Sequence, residues 1–64
     1  MCLLKIYLDT GSERKLIAKE IAFLTNEKGK VKFSNVHAQE NTLDNVDVSA
    51  INAMNSEVIL KPQS

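Results

Sequence analysis

The stretch ERKLIAKEIAFLT, residues 13–25, decides the fold. Two periods compete in it. Leu16, Ile17, Ile21 and Leu24 recur at helical spacing, and Ser12 stands where a helix N-cap belongs. Ile17, Ile21 and Phe23, however, share one parity and are β-branched or aromatic, which is the mark of a strand. Taken alone the run leans to a helix, and the flanking segments have to arbitrate.

Upstream, Cys2, Leu4, Ile6 and Leu8 alternate with Leu3, Lys5, Tyr7 and Asp9. Period two predicts a strand with its even face buried. Asp9-Thr10-Gly11-Ser12 then reads as a turn. Downstream, Asn26-Glu27-Lys28-Gly29 is a hairpin turn, though not of the tight two-residue kind, and Val31 to Val36 is the next strand. Residues 39–45 are polar apart from Leu43 and read as a loop. Val46, Val48 and Ala50 alternate with Asp47 and Ser49, then the parity changes at Ile51 and Ala53, which predicts a bulge near residue 50. Asn55-Ser56 is a turn, and Val58-Ile59-Leu60 is the last strand, ended by Pro62. Four or five short strands in one chain of this size predict an all-β small barrel or rolled sheet, since closure removes exposed edges.

The 64 residues allow a single domain, 1–64. A core this small rarely supplies more than about 3–5 kcal/mol, and such chains often add a staple. A disulfide within the chain is excluded because Cys2 is the only cysteine, which leaves a metal, a dimer or a core that is just sufficient. A lone cysteine suits a reducing compartment. The apolar run at Leu3-Leu4 is cut at once by Lys5, too short for a signal core or a membrane span, and position 2 is not the glycine of a myristoylation signal. The expected location is the cytoplasm, with no membrane partner. Eight basic and eight acidic side chains cancel. A nucleic-acid binder carries a basic excess or stripe, whereas Lys28, Lys30 and Lys32 around Gly29 read as a solvated hairpin face.

No acid–base or nucleophilic constellation is present, so the chain is not read as an enzyme. His37 has the reading of a rim side chain. Cys2 stands apart because of its place. A small residue at position 2 permits removal of Met1, after which one residue carries both an α-amine and a thiol. Their reference pKa values are about 7.7–8.0 and about 8.5, so a metal can displace both protons near neutral pH. The backbone amide of Leu3 is a candidate third donor. Planar nitrogen and sulfur donors suit Ni(II) or Cu(II), while thiolate also suits Cu(I) or Zn(II). One thiolate per chain makes a four-ligand site a matter for two chains, most simply a twofold homodimer with Cys2 near the axis. The competing reading is a Cys2 that is simply a buried small apolar side chain.

Met1-Cys2-Leu3-Leu4-Lys5-Ile6-Tyr7-Leu8, a turn with Gly11, the apolar Leu16-Ile17 and Ile21, Gly29 ahead of Val31-Lys32-Phe33, the Val-Asp-Val run and Val58-Ile59-Leu60 together resemble the CooT-like nickel-binding proteins. The resemblance implies an SH3-like β-barrel of about five strands, a homodimer, and a Ni(II) site built on Cys2 near the interface, with Leu3 as a backbone donor. It also implies metallochaperone, storage or delivery work toward a recipient nickel enzyme. It tips residues 13–25 toward a strand, followed by a short helical turn or irregular stretch before Gly29. One departure is the absence of glycine from Ser34 to Leu43, which leaves Asn35 or Asn41 to take a left-handed turn position. The alternative function is a small β-barrel module for RNA or protein interaction in which Cys2 is purely structural.

Overall fold

The computed structural model describes residues 3–63. The chain is all-β among these residues: β1 (Leu4–Asp9), β2 (Arg14–Glu27), β3 (Lys30–Asn35), β4 (Glu40–Asp44), β5 (Val46–Asn52) and β6 (Glu57–Pro62). They form one sheet in the order β4-β3-β2-β1-β6-β5. All neighbours are antiparallel except β1 and β6, which are parallel.

The ambiguous run is a strand. Its first half pairs with β1 up to Ile21, and its second half pairs with β3 from Ile21 onward. Register slips in both ladders, between Leu4 and Ile6, between Ile6 and Tyr7, and between Ile21 and Phe23. Each slip places an extra residue on β2, which flips the face that the following residues point to. Ile17, Ala18, Ile21 and Leu24 therefore reach one core although their parity is mixed. The helix-like spacing is the product of these bulges. Glu20 carries a left-handed φ of 57° at the bend. The strand continues to Glu27, so the expected helical or irregular stretch before Gly29 is absent. Glu27 pairs directly with Lys30, making the hairpin tight after all, with Gly29 at φ 71°.

The core holds Ile6, Ile21, Val31, Phe33, Val46, Val58 and Leu60, all buried, with Leu4 and Leu8 packed against it. The even face of β1 is thus the inward one, as its alternation requires. On β5 the register shift falls between Val48 and Ala50, where the parity change placed it.

The SH3-like barrel of about five strands needs correction in two respects. Residues 40–44, read as loop, are β4, paired with β3 from Ser34–Glu40 to Lys30–Asp44. An edge strand has only one inward row to fill, and here Leu43 is its sole half-buried apolar residue, so composition conceals it. The ladders also stay open: β4 and β5 end the sheet and do not pair with one another.

The β3–β4 turn is made without glycine, but not as expected from its asparagines. The left-handed residue is Ala38, at φ 62°. Asn35 holds the turn with its side chain: Oδ1 accepts the amides of His37 at 2.9 Å and Gln39 at 3.1 Å, and Nδ2 donates to Gln39 Oε1 at 2.7 Å. Asn41 lies within β4.

Candidate metal centre

Cys2, the expected thiolate donor, lies outside the described residues. Leu3 is the first residue described; it is half-buried and immediately precedes β1. β1 is central, between β2 and β6. At its start Leu4 pairs with Ile21, and the amide of Lys5 donates to the carbonyl of Ser56 at 2.8 Å. Lys5 and Glu57 are register partners. The segment that leads back to Cys2 therefore joins the sheet between the bend of β2 and the β5–β6 turn.

Strand register brings exposed apolar side chains to this same end. Phe23 follows the bulge after Ile21, Val36 follows Asn35, and Met54 lies in the β5–β6 turn, 96% exposed. Ile51, 66% exposed, is one position from the end of β5. Sequence reading places Phe23, Val36 and Ile51 on strands without marking them as exposed, and leaves Met54 unread. The available signal is that each sits at a parity break or between polar turn residues, where an apolar side chain has no inward row to join.

Among the described residues no group of three or more His, Cys, Asp or Glu side chains is placed to hold a metal ion. His37 is exposed in the β3–β4 turn, two residues past the end of β3, where its amide is tied to Asn35. Of the acidic groups, Asp9 pairs with Arg14 at 3.7 Å, and Asp44 lies 4.0 Å from Lys30. Among the described residues no helix is long and apolar enough to cross a membrane. Thiolate, amine and deprotonated amide nitrogen form a donor set that suits Ni(II) or Cu(II).

Compared with known proteins, the family described as CO dehydrogenase accessory protein CooT matches residues 1–61. The chain belongs to the CooT family. CooT is an accessory protein, not itself a catalyst, in agreement with the missing constellation. Among solved structures, the CooT-family chain is similar to a crystal structure assigned to CooT from Carboxydothermus hydrogenoformans, with a TM-score of 0.83 and 11% identity. The alignment covers 98% of this chain and 100% of the other. At that identity the likeness speaks for the fold alone. No curated protein matches the chain.

Proposed function

We propose that this CooT-family protein binds Ni(II) as cargo through Cys2 and hands it to a recipient nickel enzyme, with a CO dehydrogenase as the first candidate. The observation that carries the proposal is the family match, which runs over residues 1–61 and so includes the one cysteine of the chain. It is supported by the lack of any other metal-capable cluster among the described residues. The Cys2 thiolate and the α-amine freed by removal of Met1 close a five-membered chelate, and the Leu3 amide adds a third donor.

One thiolate per chain favours a homodimer in which two such chelates share one ion. The exposed apolar side chains beside the start of β1, Phe23 and Met54 among them, supply a surface that association would cover. Work of this kind belongs in the reducing cytoplasm, where the thiol stays free.

The test is a Ni(II) titration of the protein with Met1 removed, followed by absorption and native mass, beside Cys2→Ser. The expected result is a thiolate-to-nickel charge-transfer band saturating at one metal per dimer and absent from Cys2→Ser. Stoichiometric Ni(II) binding by folded Cys2→Ser would overturn the assignment.

A further inference from the structure

Two unpaired strand edges face one cleft. β4 ends the sheet, and the first half of β2, Arg14 to Glu20, pairs with β1 alone because β3 joins only at Ile21. Between them lies an open cleft of about 340 Å³ whose apolar lining is Leu8, Ile17, Ala18, Phe33 and Leu43. A free edge presents backbone donors and acceptors to any extended chain, and proteins that keep one usually guard it.

The side chains of β4 state what the edge would accept. Asn41 and Leu43 pair with the core residues Phe33 and Val31, so they share the inward face and line the cleft. Glu40, Thr42 and Asp44 alternate with them, opposite Ser34, Lys32 and Lys30; Thr42 also borders the cleft, and Asp44 lies 4.0 Å from Lys30. Glu40 and Asp44 are exposed at the two ends of the strand. The same charges reject a second copy: antiparallel pairing of two β4 strands about Thr42 sets Glu40 against Asp44 twice, and parallel pairing in register sets like against like. The other edge is less suited. β5 is bulged between Val48 and Ala50, and its inward Val46 and Val48 are already packed on the core.

We propose that β4 is a docking edge for an extended segment of a partner protein, apolar toward the cleft and basic on the outward face. Opposite Glu40, Thr42 and Asp44 the fitting pattern is basic, small polar, basic, and the two residues between them are apolar. This is strand addition, in which backbone hydrogen bonds give affinity and alternate side chains give specificity. It is independent of the Cys2 reading, since none of its residues is among the proposed metal donors.

The experiment titrates the ¹⁵N-labelled full chain with the peptide Lys-Leu-Thr-Val-Lys-Leu-Thr-Val-Lys, its counterpart with Glu in place of Lys, and a shuffled basic peptide. The expected result is amide shifts confined to β4 and the cleft residues with the alternating basic peptide, and slowed hydrogen exchange along β4. The double variant Glu40→Lys/Asp44→Lys changes exposed side chains only and should reverse the preference between basic and acidic peptides by at least about tenfold, the size expected when two opposed charge pairs change sign at a partly screened surface. Three results would overturn the proposal: no response at β4, equal response to the shuffled peptide, or self-association through β4 without any peptide. Any of these would leave Glu40 and Asp44 as charges that merely keep the edge unpaired.

Discussion

The amide of Asn45 donates to the carbonyl of Gly29 at 2.6 Å, which ties the start of β5 to the tip of the β2–β3 hairpin. The same carbonyl accepts the amide of Val46 at 3.3 Å. Gln63 locks the corner from the other side: its amide donates to the Asn45 carbonyl at 2.7 Å, and its Nε2 donates to Asp47 Oδ2 at 2.7 Å. These bonds fold the open sheet over its core where strand pairing does not.

Gly29 is held there by backbone conformation more than by space. Its φ of 71° is unfavourable for a side chain, and an added Cβ would lie 3.2 Å from Gln63 Oε1, the far end of a side chain, with no backbone atom as close. Gly29→Ala is expected to destabilise the domain by about 1–2 kcal/mol, the usual cost of a left-handed non-glycine residue. Denaturant midpoints check this. A Gln63→Ala background should leave the loss unchanged if conformation is its cause.

Ala38 presents the opposite case. It occupies a left-handed position at φ 62° in an exposed turn, with no side-chain contact demanded of it. Ala38→Gly is expected to stabilise by about 0.5–1 kcal/mol, after the flexibility of glycine in the unfolded chain is discounted. For a domain this small that corresponds to a rise in Tm of about 2–8 °C. Asn35→Ala is expected to lower Tm, because it removes the acceptor for the amides of His37 and Gln39.

These two turns show what was legible in the chain and what was not. β1 is read directly from the alternation of Leu4, Ile6 and Leu8, because it is a regular strand with one wet face. β6 is read from three consecutive apolar residues, because Ile59 is buried on one face while Val58 and Leu60 enter the core on the other. β2 defeats periodicity because its bulges change parity within one strand, and β4 is concealed because an edge strand needs little apolar content. The left-handed place at Ala38 has no local signal at all, since alanine is the residue least suggestive of it. The candidate metal centre rests on a signal of a different kind. It depends on chemistry that one cysteine carries at position 2, and not on residues gathered by the fold.

Ile6 tests how little the core can spare. It is fully buried at the centre of the sheet, flanked by Ala18 on β2 and Val58 on β6. Ile6→Ala is expected to cost about 2–5 kcal/mol, comparable to all that a core of this size supplies. The variant should be largely unfolded at 25 °C by circular dichroism.

The pH dependence of Ni(II) binding distinguishes the donors at the start of the chain. Free thiol and α-amine titrate at about 8.5 and about 7.7–8.0, so below pH 7 both are protonated and binding must displace both protons. Each unit of falling pH then lowers apparent affinity by up to about a hundredfold for each of the two chains that share the ion, or about a thousandfold for each if the Leu3 amide also loses its proton. Protein that retains Met1 has no α-amine on Cys2, so its dependence should be shallower by one proton per chain and its affinity weaker throughout. Calorimetric titrations of both forms between pH 6 and pH 7, corrected for buffer ionisation, give the number of protons released per metal. Equal slopes for the two forms would remove the amine from the donor set, and a slope of four protons per metal with Met1 removed, two from each chain, would leave Leu3 out of it.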